Sequence, residues 1–454
     1  MSTTVIDGCA LVTMDADRTE HAVGHVVIEG ARISSVGAGP APRDREATYV
    51  DGRGCLATPG LVNTHHHLYQ WLTRGFAVDH TLFEWLTTLY PVWACLDEDT
   101  VRTGATGALA QLARTGCTTT MDHHYVFPDG VPNLLEAEID AAREIGIRFL
   151  GTRGSMDLSV KDGGLPPDSV VQDIDSIIAH SEEVVGRYHD PAPGSMLQIG
   201  IAPCSPFSVT DRLMVESATQ ARRLGVRLHT HIAETVEEEE HCLGRFGLRP
   251  LELLDDRGWL GPDVWLAHCV QLNDRDIGLV AETGTGVAWC PTSNLRVVGG
   301  IAPARALLDR GATVGLGVDG SASNDVGNMA LEARMAMLVP RAVGGTGAMS
   351  ARDALRVATR GGAGCLGRPE LGSLEVGKRA DVALFAADGL TFAGAEADLV
   401  AGVLLCPGPR VRHLFVEGRP VVRDGRLVNA DEDQLVASAR RVAARLPAAS
   451  GAGR

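Results

Sequence analysis

The run His65-His66-His67 and the pair His229-Thr230-His231 set imidazoles two residues apart. In an extended chain such residues face the same side. His65 and His67 can therefore point one way together, while His66 points away and is read as structural. Two further polar residues, His268 and Asp319, each close an apolar run. The neutral imidazoles of His65, His67 and His231, with the Asp319 carboxylate, make a borderline-soft nitrogen and oxygen set. That set suits one divalent metal per chain, Zn²⁺ first and Fe²⁺ as the alternative. It leaves room for a water, whose pKa a bound ion lowers from about 15.7 towards about 7. A lone His or Asp at a run's end is commonly a hydrogen-bonded or turn residue. Four of them at matching ends point to a metal.

Glu234 follows His231 by three residues. On a loop leaving a strand its carboxylate can reach over the metal and shuttle protons to substrate or leaving group. The run Glu237-Glu238-Glu239-Glu240 reads as a solvated helix start, where carboxylates are favoured. His268 is expected to polarise the reacting system, and Asp319 to accept the water's proton besides ligating. Gln70, Arg153 and Cys204 are expected substrate contacts: a base-edge partner, a binder of a carbonyl or anionic edge, and a small apolar wall. One of His123 and His124 is expected beside the site.

These residues need strands that end at one place. Eight short apolar runs are separated by mostly helix-length spacers: residues 61–65, 117–122, 147–152, 197–202, 226–231, 264–268, 286–290 and 314–319. Strands buried on both faces read this way. Residues 211–225 carry Leu213, Val215, Ala218, Ala221 and Leu224 at mostly helical spacing and stop at Gly225. Eight β-then-α units predict a (β/α)8 TIM barrel, whose sites lie at the strands' C-terminal ends, rather than an open doubly wound sheet. The chain's two ends look alike. Residues 26–37 and 413–425 are β-rich runs that each turn at Glu-Gly, as hairpins do. The expected division is a small β-sandwich from residues 1–57 and 368–430, a catalytic barrel from 58–367, and a C-terminal helix and disordered tail from 431–454.

The 454 residues suit one large barrel plus an accessory domain, and 45% hydrophobic with 22% charged residues is an ordinary globular composition. A formal net charge of −16 with no Lys/Arg-rich run argues against nucleic acid and for a small free substrate. No segment reads as a signal peptide or membrane span. Ten cysteines without a CxxC pair read as reduced thiols in a cytoplasmic protein.

Taken together, residues 59–67 (Pro-Gly-Leu-Val-Asn-Thr-His-His-His), His231-Ile232-Ala233-Glu234, His268, Asp319 and the link Gly377-Lys378-Arg379-Ala380-Asp381 resemble the amidohydrolase superfamily over nearly the whole chain. That resemblance implies a (β/α)8 barrel with a divalent metal. Binuclear members carry a bridging Lys on the fourth strand. Residues 196–203 here contain none, which implies the mononuclear branch of cytosine deaminase and chlorohydrolase type. The residues around Gln70, Asp122, Arg153, Cys204 and Asp319 are most similar to members that deaminate 8-oxoguanine. They imply hydrolysis of 8-oxoguanine to urate and ammonia. The same likeness leaves open s-triazine amino- or chlorohydrolases, of the hydroxyatrazine ethylaminohydrolase kind, and guanine- or pterin-type deaminases. Homo-oligomers are common on such barrels.

Overall fold

The computed structural model describes residues 2–42, 44–406 and 408–447. Eight parallel strands close into a barrel in sequence order. They are β1 (Leu61–Asn63), β2 (Cys117–His124), β3 (Arg148–Ser155), β4 (Leu197–Pro203), β5 (Leu228–Ile232), β6 (Val264–His268), β7 (Gly286–Trp289) and β8 (Val314–Leu316). All but the first residues of β4 are buried. This is why their sequences run apolar instead of alternating. Each of the eight expected runs overlaps one of these strands, and the second to fifth strands reach one to three residues past their runs.

The ends of β1 and β8 differ from the expectation. Both strands stop after three residues, short of His65 and Asp319. Beyond the ladder the chain is held by single backbone bonds: Thr64 N–H to Leu316 O (2.8 Å), Asp319 N–H to His65 O (3.0 Å) and His123 N–H to His66 O (2.8 Å). The helix Asp211–Leu224 ends as the sequence predicts, with Gly225 at φ +69° in the left-handed conformation that closes a helix without a Cβ clash.

The two chain ends share one sheet. Cys55–Pro59 pairs antiparallel with Val382–Ala386, joining the N-terminal strands to the C-terminal ones. Ile6, Leu11, Val26, Ile28, Ala57, Val382, Leu384 and Phe415 form a core separate from the barrel's, as in a small β-sandwich. Both expected hairpins are present, with Glu29 opposite Arg32 and Val416 opposite Arg419. Their tips abut so closely that a Cβ on Gly418 would meet the Gly30 carbonyl oxygen. Barrel and sandwich are locked by a buried guanidinium: Arg148 on β3 donates to Asp381 (3.1 Å) and Glu417 (2.6 Å). The helix Glu432–Ala443 is held to the helix Glu98–Arg114 by an Arg114–Glu432 ion pair at 2.6 Å. The tail expected to be disordered, residues 448–454, lies outside the described residues. Among the described residues no helix is long and apolar enough to cross a membrane.

Candidate metal centre

Where β1, β5, β6 and β8 end, His65, His67, His231, His268 and Asp319 meet, all buried. His65 Nε2 and His67 Nε2 lie 3.2 and 3.3 Å from Asp319 Oδ1, and His67 Nε2 lies 3.1 Å from His231 Nε2.

The other ring nitrogens decide what these contacts are. His67 Nδ1 is 2.8 Å from the His123 carbonyl, and His231 Nδ1 is 2.7 Å from the Cys204 carbonyl. A carbonyl only accepts, so each Nδ1 carries the ring's proton and each Nε2 is bare. His65 is fixed one step further out. His229 Nδ1 donates to the Trp265 carbonyl (2.7 Å), so His229 Nε2 accepts from His65 Nδ1 (2.8 Å). His65 Nε2 is then also bare, and it is a buried nitrogen with no hydrogen-bond partner. Three lone pairs and a carboxylate oxygen thus face one another with no proton between them. Such a set repels itself in the protein interior unless a cation lies within it. The donor set therefore fits a divalent metal, and the carbonyls and His229 are the outer partners that fix ligand tautomers.

The charge states agree with ligation. Burial lowers the pKa of His65 and, more strongly, of His231, and neutral imidazole is the ligating form. Burial raises the Asp319 carboxyl, but hydrogen bonding and positive charge from the facing imidazoles, a place an ion takes when their Nε2 atoms are bare, hold it well below the usual range. Its second oxygen accepts from Ser293 Oγ (2.5 Å) and Ser323 Oγ (3.2 Å). Asp319 (φ +61°) and His268 (φ +72°) both sit in the left-handed region, which residues with a Cβ rarely adopt and which costs about 1–3 kcal/mol each. Strain of this kind gathers at functional sites.

Glu234 stands beside the cluster, its Oε1 3.5 Å from His268 Nδ1. Burial first, then the negative charges of Asp319 and Glu238, hold its carboxyl well above the usual range. This environment favours the protonated form of Glu234. His268 is kept neutral, its pKa pushed down to about 3 by burial. Asn294 donates to its Nδ1 (2.9 Å), which leaves the His268 proton on Nε2.

A narrow cavity opens over these groups. Its floor is His67, His231, Glu234, His268 and Asp319. Its walls are largely apolar: Leu82, Trp85, Leu86 and Tyr90 of the helix Leu82–Trp93, with Phe207 and Val297. Trp85 Nε1 donates to the Ala322 carbonyl (3.2 Å), tying that helix to the segment after β8.

A sequence profile of the amidohydrolase family matches residues 56–421. The chain belongs to the amidohydrolase family. It is similar to the 8-oxoguanine deaminase of Pseudomonas aeruginosa, with 46% identity over 96% of this chain and 97% of that one. It is 39% identical to the hydroxydechloroatrazine ethylaminohydrolase of a Pseudomonas species, over 90% of this chain and 85% of that one. Among solved structures it resembles the zinc complex of the atrazine chlorohydrolase from Arthrobacter aurescens TC1. The TM-score is 0.92 with 34% identity, covering 97% of this chain and 100% of that one.

Within this amidohydrolase the expected residues separate into two groups. The four expected ligands come together, with Glu234 and His268 beside them, and Cys204 lines the cavity. Gln70 and Arg153 do not line it. Gln70 is packed under the loop after β8, so closely that Gly320 has no room for a Cβ. Arg153 donates to the Gly154 carbonyl (2.5 Å), Gln172 Oε1 (2.6 Å) and His180 Nδ1 (3.2 Å), and lies over the Phe127 ring. Its hydrogen-bonding fork is engaged by neighbours that follow it in the chain. Of the two candidates after β2, His123 is the one at the site. It stacks on His231 (ring centroids 4.6 Å apart), and its carbonyl holds His67. His124 turns away to Glu138 (2.9 Å).

The sequence reading gave no role to His229, Asn294, Ser293 or Ser323. Only His229 had a signal, because it shares a strand face with His231. Glu238 was misread, since it is fully buried instead of solvated. The pattern Thr235-x-x-Glu238, which marks a helix start, could have flagged it.

Proposed function

We propose that this amidohydrolase is a hydrolytic deaminase of a free, flat amino-heterocycle, with 8-oxoguanine as first candidate, converted to urate and ammonia. The observation that carries this reading is the convergence of three bare imidazole nitrogens and the Asp319 carboxylate beneath an apolar cavity, with the acid Glu234 alongside. None of the described side chains lining that cavity is Lys or Arg. A neutral ring suits such a lining better than a phosphorylated or carboxylated one. The similarity to a known 8-oxoguanine deaminase supports the choice of ring.

His65, His67, His231 and Asp319 are the residues that would hold the divalent ion, zinc in the first place. When bound, that ion supplies Lewis-acid activation of water near neutral pH. Glu234 protonates the ring nitrogen next to the carbon that bears the amino group, making that carbon electrophilic. His268, with its proton on Nε2, donates to the oxygen that adds there. Asp319, the ionised carboxylate at the centre, takes a proton from the attacking water. The C–O bond forms and the C–N bond breaks. Of the water's two protons, the one taken by Asp319 passes to the leaving amine, which departs as ammonia, and the other restores Glu234 to its acid form in place of the proton given to the ring nitrogen. The walls from Leu82, Trp85 and Phe207 exclude bulk water and lie against an apolar ring face. The cysteines are all free thiols, in keeping with a reducing cytoplasmic setting.

A second reading has a specific observation behind it. The apolar wall of Leu82, Leu86 and Val297 would also accept the alkyl groups of a substituted s-triazine, in line with the ethylaminohydrolase and chlorohydrolase relatives. One panel separates them. Purified protein loaded with zinc is offered 8-oxoguanine, guanine, isoxanthopterin, an aminotriazine and a chlorotriazine, and ammonia, alkylamine and chloride release are followed. The proposal expects ammonia release with the highest kcat/KM on 8-oxoguanine. Turnover confined to triazines would replace it with the second reading.

A further inference from the structure

Glu234 can move protons only if its carboxyl is held over the cavity, yet it sits on a loop, between β5 and the helix Val236–Phe246. That loop contains a conformation it would not adopt unaided. Ala233 has φ +52°, in the left-handed region. With a Cβ present this is unfavourable by about 1–2 kcal/mol. Something must hold the kink, and the structure shows what does. Glu238 is fully buried, and each of its carboxylate oxygens takes one of two consecutive amides. Ala233 N–H donates to Oε1 and Glu234 N–H to Oε2, both at 2.8 Å.

This departs from an ordinary helix start. Thr235 caps the helix by accepting from the Glu238 amide (3.3 Å), which makes Glu238 the third helical residue. A glutamate there usually reaches back to the amide of the capping residue itself. Glu238 reaches past Thr235 to the two amides before it. Ala233 is fixed from its other side as well, where its carbonyl accepts from Val270 and Gln271, both at 2.8 Å. The carboxylate of Glu238 therefore clamps the amide of Glu234 and that of the kinked residue before it.

We propose that Glu238 is a positioning residue for Glu234. Its bidentate carboxylate holds the left-handed kink at Ala233 and so aims the Glu234 side chain at the substrate. Among the described residues its carboxylate bonds only to these two amides and to none of His65, His67, His231 and Asp319. This rests on the reading of Glu234 as the proton carrier. Glu238→Gln keeps the shape but turns one acceptor into a donor facing an amide N–H. Misplacement of a reacting group by 1 Å can lower the rate on the order of 10²-fold. A loss of about that size in kcat is expected, with KM changed less than threefold and metal per chain unchanged.

The test is a cycle of Glu238→Gln, Glu234→Gln and the double variant in the zinc-loaded enzyme. If Glu238 acts through Glu234, the double variant is no slower than Glu234→Gln alone. Losses that multiply would overturn the proposal. Full turnover by Glu234→Gln would instead sink the role of Glu234 itself, a distinguishable outcome. Amide hydrogen exchange of the unsubstituted protein gives a readout independent of activity and of whether the variants fold. The Ala233 and Glu234 amides should exchange as slowly as those of β5. Exchange at the rate of an open loop would contradict the clamp.

Discussion

Glu234→Gln is expected to lower turnover on the order of 10²- to 10⁴-fold while metal content stays at the level of the unsubstituted protein. The substitution keeps the side chain's shape and its buried place beside His268. It removes the one property that the proposed chemistry requires, a proton that can be given and taken back. Glu234 lies outside the residues grouped tightly enough to share an ion, so its loss should leave the ligand set intact. Steady-state kinetics on the best substrate of the panel, together with metal analysis of the same preparation, checks both halves. A variant that retained metal and full turnover would take Glu234 out of the mechanism.

Asp319→Ala should act the other way, through the metal. Its Oδ1 is the only carboxylate oxygen within 3.3 Å of both His65 and His67 Nε2 among the described residues. Removing it leaves three neutral imidazoles with no charge to balance a divalent ion. Outer partners of metal ligands are already worth 10- to 100-fold in affinity. Loss of a direct, charged ligand is expected to weaken binding at least on the order of 10²-fold, with turnover falling to that of metal-free protein. Competition with a chelator measures the affinity. A thermal melt separates metal loss from unfolding. The melt should stay cooperative but fall modestly, because Ala leaves the Ser293 and Ser323 hydroxyls without their acceptor and suits the left-handed backbone at residue 319 less well than Asp.

The barrel was legible because its strands are buried on both faces, and sequences such as Val264-Trp265-Leu266-Ala267 have no other use for four apolar residues in a row. The His/Asp cluster was legible because imidazoles and a carboxylate gather at the ends of such runs. The strand ends themselves were less so. His65 and Asp319 read as strand residues, yet they lie past the ladder, held by isolated backbone bonds between β1 and β8. Arg153 shows the limit of reasoning from residue type. A guanidinium at the end of β3 can meet a substrate or its own neighbours, and here it donates to Gln172 and His180. Glu238 shows another limit. Four consecutive glutamates look uniformly solvated, but successive helical residues are turned about 100° from one another, so one of a run readily faces inward. The wall from the helix Leu82–Trp93 was not anticipated. It is inserted after β1 and belongs to no regular β–α step. Its role depends on where it folds over the barrel mouth, which the local sequence does not encode.

Counting the divalent ion tests the whole arrangement most directly. Elemental analysis of the purified, zinc-reconstituted protein should give close to one ion per chain, and His67→Ala should drop it towards zero. Two ions per chain, or full occupancy without His67, would contradict a single centre built from these three imidazoles and the eighth-strand carboxylate.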